Sequence, residues 1–362
     1  MSKAGSPRKV FFVGSVSSPH DQPLLGGQRV TLEQARTLRQ WGYDAYVVTA
    51  VGRLGRLANI GRSVNPIFMD YRTFARVIDP ARDVVVLAGR YAQIMDRVPG
   101  DHKVIFSQGA FVTLSSLPLE DGSERIWRNP SLRALMCVSE GNAEILHRLN
   151  SSCPLLVVPN RVKLPDNQGA ARDDRLLYPD LRRPEKNAID TRVVLQMLYA
   201  RAGARGGAPP QFVQLARLPY AQVQEYLASS SVLLFLGINE GLPLLVLEAM
   251  AAGCIVLGYR RRPLSDLLHQ RCLFEIGSLC DLADTADAIL QSPGDWADVR
   301  LSLRARAAEF SEERHLARLR EAWDRIESEV GAAQAAPRPA FAGSAGPHNR
   351  HARTRAPLLP DI

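Results

Sequence analysis

No apolar run in this 362-residue chain approaches the roughly 20 residues that a bilayer-crossing helix needs. The first such run, Val10–Gly14, is too short for the core of a secretory signal and lacks the usual cleavage site. It reads as a first strand, and the chain is expected to stay in the cytoplasm. Cysteine is scarce as well. Cys137, Cys153, Cys254, Cys272 and Cys280 are odd in number and lack metal-ligand spacing. They read as buried free thiols, so neither a disulfide framework nor a zinc site is indicated. A Walker loop is missing. No Gly-x-Gly-x-x-Gly follows a strand, because Gly203-Ala204-Arg205-Gly206-Gly207 has the wrong spacing. This ranks a dinucleotide-dependent oxidoreductase low.

Excess charge is also missing from the body of the chain. The net charge is +8, but residues 1–9 and residues 331–362 each carry +3, which leaves +2 for everything between. Basicity confined to two ends is no sign of a folded nucleic-acid-binding face, and no nucleic-acid partner is expected. Solvated ends are the plain reading. Weak peripheral contact with an anionic membrane surface is the alternative.

What remains is an ordinary globular balance, 46% apolar and 23% charged, in a chain long enough for two domains. Short apolar runs alternate with amphipathic stretches, the signature of parallel sheets crossed by helices. Val10–Gly14, Ala45–Thr49, Asp83–Ala88, Lys103–Phe106, Ala134–Val138 and Leu155–Val158 read as strands of one domain. Val30–Trp41 reads as a helix with Ala35 and Leu38 on one face and Gly42 closing it. The polar stretch 166–175 reads as a linker. The alternation then restarts with a strand at Leu176–Tyr178 and a helix at Ala188–Leu198, whose inner face would hold Ile189, Val193 and Met197. Strands at Gln211–Leu215, Val232–Leu236 and Ile255–Gly258 follow, and the reading is helical from Leu279 onward. The expected plan is a flexible start (1–8), an acceptor-side domain (9–165), the linker (166–175), a nucleotide-side domain (176–330) and a disordered basic tail (331–362). Two parallel sheets leave a cleft at the carboxyl ends of their strands, where ligands bind.

One segment carries chemistry. Glu240 and Glu248 bracket seven residues that turn off the strand Val232–Leu236 into a helix opened by Pro243. The amides around Gly241, Leu242, Pro243 and Leu244 lie at a helix start, where unpaired donors and the dipole favour phosphate. Gly241 lets backbone approach a ligand closely. An anion site flanked by two hydroxyl-accepting carboxylates suits a nucleoside diphosphate sugar. Two surface glutamates on an amphipathic helix are the plain alternative.

The run Glu240–Val256 resembles the donor-site signature of the retaining glycosyltransferases of family four, which have the GT-B fold. Gly26-Gly27, Cys137-Val138-Ser139-Glu140 and Val157-Val158-Pro159-Asn160 resemble other segments of that family in the expected order. The resemblance spans roughly residues 9–330 and is strongest over 232–258. It implies an α/β chain with two Rossmann-like domains facing each other across a cleft. It implies that Glu240 approaches the transferred sugar and the reaction centre, and that Glu248 binds the ribose hydroxyls. The backbone of Gly241 to Leu244 would meet the diphosphate and sugar. An arginine and a lysine would clamp the diphosphate, with Arg182 or Arg183 and Lys186 as candidates; a solvated loop is the other reading. Gly26, Gly27 and Gln108 would form the acceptor-side loop.

Two departures stand out. A Gly-Gly turn common in the family is replaced by Gly258-Tyr259-Arg260-Arg261-Arg262-Pro263, and the region where a histidine is often found reads Phe106-Ser107-Gln108-Gly109. The arginines would meet an anionic acceptor, meet a donor phosphate, or form a plain basic loop. The activity implied is transfer of a sugar from a UDP- or GDP-sugar to an acceptor hydroxyl with retention, of the kind used in polysaccharide biosynthesis. The acceptor, whether glycan, lipid-linked or small molecule, is unspecified. No metal and no cofactor are expected, and no Asp-x-Asp motif argues for one. A nucleotide-sugar epimerase and a non-catalytic or divergent nucleotide-sugar binder are the alternatives.

Overall fold

The structure, a computed structural model, describes residues 7–14, 26–49, 67–119, 123–149, 153–164, 172–182, 186–208 and 210–335. Seven parallel strands form the first sheet: β1 (Lys9–Val13), β2 (Asp44–Thr49), β3 (Phe68–Asp70), β4 (Val84–Ala88), β5 (His102–Ser107), β6 (Leu132–Cys137) and β7 (Leu155–Val157). Their order is β3-β2-β1-β4-β5-β6-β7. The second sheet holds β8 (Asp173–Pro179), β9 (Gln211–Leu215), β10 (Ser230–Phe235), β11 (Ile255–Tyr259) and β12 (Leu273–Phe274), in the order β12-β11-β10-β8-β9. The central strands are rich in Val, Leu, Ile and Phe because helices cover both faces, and most of their positions are buried. Together the sheets give the α/β, two-sheet architecture expected from the alternation.

Strand order reverses between β1 and β4 and again between β8 and β10. Each reversal sends neighbouring connections to opposite faces and opens a crevice at the strand ends. The chain leaving β8 leads to Lys186, and the chain leaving the adjacent β10 leads to Glu240. Topology therefore brings these two residues together.

Several expectations are corrected. Strand β8 begins at Asp173, inside the stretch read as linker, because Ser231 Oγ donates to the Asp173 carbonyl (2.8 Å) and the ladder extends that far; residues 165–171 lie outside the described residues. The helix Ala188–Ala204 buries Thr191, Val194, Leu195, Leu198 and Ala202, whereas Ile189 is 76% exposed. Its inward face is rotated from the one expected, because apolar residues surround this helix and periodicity selects no side.

The last helix, Glu312–Ala335, follows the second domain in sequence but packs on the first. It buries His315, Leu319, Ala322, Trp323, Ile326 and Val330, a stripe of 3–4 residue spacing. Trp323 meets Tyr43 (5.7 Å between rings), Arg320 lies 3.7 Å over Trp41, and Gln334 Nε2 donates to the Ala81 carbonyl (2.7 Å). Alanines prolong the helix through 331–335, which were expected to be disordered; the rest of that tail, 336–362, lies outside the described residues. Arg8, expected in a flexible start, is paired with Glu327 of this helix, while residues 1–6 lie outside the described residues. Among the described residues no helix is long and apolar enough to cross a membrane.

Two buried histidines tie this packing to pH. Arg133 Nε donates to His102 Nδ1 (3.0 Å), so His102 Nε2 carries the proton and donates to the Ala81 carbonyl (3.0 Å). His315 Nδ1 donates to the Pro159 carbonyl (2.7 Å). Burial lowers both pKa values below the ordinary 6.5. The unfolded chain then binds more protons than the folded one below that value, so stability is full above about pH 6.5 and is lost as pH falls through it. The melting temperature should drop between pH 7.5 and 5.5, and the drop should shrink in the His102→Gln, His315→Gln double variant. Equal drops would reject these histidines as the cause.

Candidate functional site

The helix Leu244–Ala252 follows β10 after the turn 236–243. Pro243 caps it instead of opening its first turn, and its carbonyl accepts from Val246 N (3.1 Å) and Leu247 N (3.2 Å). The amides of Leu244 and Leu245 precede that first helical bond and belong to the orphan donors of a helix start. Gly253, at φ 77, ends the helix in the left-handed conformation that glycine adopts freely.

Glu240 lies just ahead of this helix and is ion-paired with Lys186, whose ammonium also sits 4.8 Å over the Phe235 ring. Both side chains are largely buried, at 14% and 17% exposure. Asn187, next to Lys186, adopts φ 52, a conformation that asparagine tolerates better than most residues, and its amide donates to Asp190 (2.7 Å). Of the other clamp candidates, Arg182 is half exposed and held in two hydrogen bonds by Asp180 (2.8 and 2.6 Å), a carboxylate two residues away. Arg183 lies outside the described residues.

Glu248 sits one turn into the helix and is 7% exposed. Its Oε1 accepts from Arg29 Nη2 (2.5 Å) and from the Tyr220 hydroxyl (3.2 Å), and the Arg29 guanidinium lies 4.6 Å over the Tyr220 ring. Burial would lower the Arg29 pKa, but the charge and hydrogen bond of Glu248 outweigh it and leave that pKa raised. Burial next to Glu248 also raises the Tyr220 pKa. Sequence reasoning missed both residues. Arg29 lies two places after Gly27, in the first turn of the helix Gly26–Gln40, yet meets a residue 219 positions away.

Two of the three residues expected on the acceptor side, Gly27 and Gln108, meet each other. Gln108 Nε2 donates to the Gly27 carbonyl (2.9 Å) and to Thr31 Oγ1 (3.1 Å). A Cβ on Gly27 would lie 3.1 Å from Gln108 Cδ, and one on Gly26 would lie 3.3 Å from Leu244 Cδ1. Gly241 packs tightest. A Cβ there would lie 2.7 Å from the Gln108 carbonyl carbon, nearer still to its oxygen, and 3.0 Å from Asn142 Nδ2. Close approach at Gly241 therefore serves the opposite domain's backbone. Ser139 Oγ donates to the Gly241 carbonyl (3.0 Å), and Asn160 Nδ2 donates to that of Leu242 (3.0 Å). Gly241→Ala should cost about 1–3 kcal/mol by overpacking, because backbone cannot swing aside. Urea unfolding reads that loss, and an unchanged midpoint would contradict this packing.

Cavities open at both ends of the segment 240–248. One of about 480 Å³ is lined by Arg29, Asn160, Tyr220, Leu244 and Glu248 among others. The other, about 360 Å³, is lined by Phe111, Asn142, Glu240, Gly241 and Arg261 among others. One end can accept hydroxyls at Glu248, the centre offers helix amides, and the far end sets a lysine against a carboxylate. Among the described residues no group of three or more His, Cys, Asp or Glu side chains could hold a metal ion.

The model of the family described as glycosyl transferases group 1 matches residues 197–312. No protein among the curated sequences matches. Among solved structures, sucrose-phosphate synthase from Thermosynechococcus elongatus is 13% identical with a TM-score of 0.66, over 89% of this chain and 99% of that one. Anabaena HepE in complex with UDP and glucose is 13% identical with a TM-score of 0.63, over 89% of this chain and 100% of that one. Staphylococcus aureus TarM, solved with fondaparinux, alpha-GlcNAc-glycerol and UDP, is 13% identical with a TM-score of 0.56; the match takes in 71% of this chain but spans 57% of TarM. At such identities the likeness is one of fold, the two-domain GT-B arrangement.

Proposed function

We propose that this protein transfers a sugar from a nucleotide sugar to an acceptor hydroxyl with retention of configuration, because residues 197–312 match the model of the glycosyl transferases group 1 family and the chain has the GT-B fold. The observation that carries the proposal is the Lys186–Glu240 pair beside the start of the helix Leu244–Ala252. Chemistry of this kind breaks the bond between the anomeric carbon and the diphosphate oxygen. A new bond then forms to the acceptor oxygen, whose proton passes to the departing diphosphate. Negative charge grows on that diphosphate, and a fixed cation and helix amides stabilise it most as the bond breaks. Lys186 and the amides of Leu244 and Leu245 take that role without a metal. Glu240 faces the sugar and the reaction centre, and Glu248 accepts from the ribose hydroxyls.

In this reading the nucleoside end belongs to the cavity of Glu248, and the acceptor enters the cavity of Glu240. Structures of similar fold were solved with UDP, with glucose and with a glycan, which supports the substrate class. A binder without turnover is the second reading, favoured by the hold of Arg29 on Glu248. Product analysis separates these and the epimerase alternative. Incubation with a panel of UDP- and GDP-sugars and acceptor glycans should release nucleoside diphosphate and extend an acceptor with unchanged anomeric configuration. Conversion of the nucleotide sugar without an acceptor would make it an epimerase, and no conversion across the panel would leave the binder.

A further inference from the structure

Three consecutive arginines follow β11, and the structure sorts them. Arg260 turns to Glu275 (3.0 Å), Gln270 (2.7 Å) and the Leu273 carbonyl (3.3 Å). Arg262 is paired with Glu144 and with Asp266 (3.3 Å). Arg261 has no carboxylate partner among the described residues. Its guanidinium lies 5.9 Å from the Phe111 ring centroid, on the wall of the 360 Å³ cavity that also holds Glu240.

Glu240 is ion-paired with Lys186, and Arg262 serves both Glu144 and Asp266, so Arg261 is the arginine of this wall without a carboxylate partner among the described residues. A second observation points the same way. Asn142, 2% exposed, spends Oδ1 on Ala110 N (3.0 Å), but its buried Nδ2 has no hydrogen-bond partner. A buried amide donor without a partner is costly, and a ligand oxygen would satisfy it. Asn142 lines this same cavity.

We propose that the acceptor carries an anionic group, a phosphate or a carboxylate, which Arg261 holds while Asn142 Nδ2 donates to an acceptor oxygen. This inference rests on the assignment of the Glu240 cavity to the acceptor. The donor diphosphate is the other anion within reach of this wall, and the nucleotide affinity of Arg261→Gln distinguishes the two. A planar guanidinium over an aromatic ring is well placed to meet an oxyanion with two donors at once.

The test uses the full chain saturated with UDP or GDP, whichever stabilises it, and titrates glucose 6-phosphate, glucuronate and glucose by calorimetry. The wild type should bind one of the two anionic probes at least about tenfold more tightly than glucose, the worth of one charge-assisted hydrogen bond. Arg261→Gln should erase that preference and leave nucleotide affinity intact, and Arg260→Gln should keep both. Tighter glucose 6-phosphate would identify a phosphorylated acceptor, and tighter glucuronate a carboxylated one. Equal binding of all three probes, or an unchanged preference in Arg261→Gln, overturns the proposal, as does a loss of nucleotide affinity in Arg261→Gln, which would move Arg261 to the donor. Failure of the wild type to bind either nucleotide counts against the donor reading instead. The same titrations without nucleotide then decide the role of Arg261.

Discussion

Glu240→Gln is expected to lower sugar transfer by about 100- to 1000-fold while nucleoside diphosphate affinity stays within about threefold of the wild type. Glutamine keeps the shape of the side chain and removes its charge. Lys186 loses its ion-pair partner but remains largely buried over Phe235, placed to meet a diphosphate. Ground-state binding of the diphosphate therefore persists, and what is lost is the negative charge facing the sugar as positive character develops there. A role confined to the transition state lowers kcat and kcat/KM together. Turnover within fivefold of the wild type would remove Glu240 from the reaction. A parallel fall in nucleotide affinity would recast it as a residue that only positions Lys186.

Glu248→Ala acts on both binding and folding. Deleting a buried carboxylate that accepts from ribose hydroxyls should weaken UDP or GDP binding by at least about tenfold, the usual worth of a hydrogen bond to a charged group. The change also leaves Arg29, mostly buried and stacked on Tyr220, with only its longer ion pair to Glu33 (4.0 Å). Breaking a fully buried pair costs about 3–5 kcal/mol; Arg29 keeps 27% of its side chain in water and Glu33 beside it, so about 1–3 kcal/mol is expected here. Removing Arg29 as well should restore most of the stability but none of the affinity. A 2′,3′-dideoxy nucleoside diphosphate isolates the ribose contribution, because Glu248→Ala should leave its affinity unchanged. If the normal and dideoxy nucleotides weaken equally, Glu248 does not bind ribose.

What could be read from the sequence is what local spacing determines. Alternating apolar runs gave two parallel sheets, and the strand–turn–helix around Asn239–Glu248 is visible because Pro243 and the flanking runs mark its ends. Lys186 could be named because the resemblance implies a lysine soon after the first strand of the second domain, and the structure pairs that strand beside β10. Gly27 and Gln108 come together, with the Gln108 amide spent on Gly27 and Thr31, while Gly26 faces Leu244. What stayed hidden depends on contacts across long stretches of chain. Nothing in the residues near Arg29 signals Glu248, and nothing near Trp323 signals Tyr43 on the other domain. The local pairing of Arg182 with Asp180 was likewise not legible from spacing. The three arginines read as one basic loop, and only their partners in space set Arg261 apart from Arg260 and Arg262.

The central claim, that the segment Glu240–Glu248 grips a nucleotide-sugar donor, is tested most directly by thermal melting of the full chain with a panel of nucleoside diphosphates and their sugars. At 100 times its dissociation constant, one nucleotide should stabilise the wild type by about 2.7 kcal/mol, or roughly 3 °C. The shift should shrink in Glu248→Ala and persist in Glu240→Gln. A wild type that melts at the same temperature with every nucleotide, or a shift that survives Glu248→Ala in full, would contradict it.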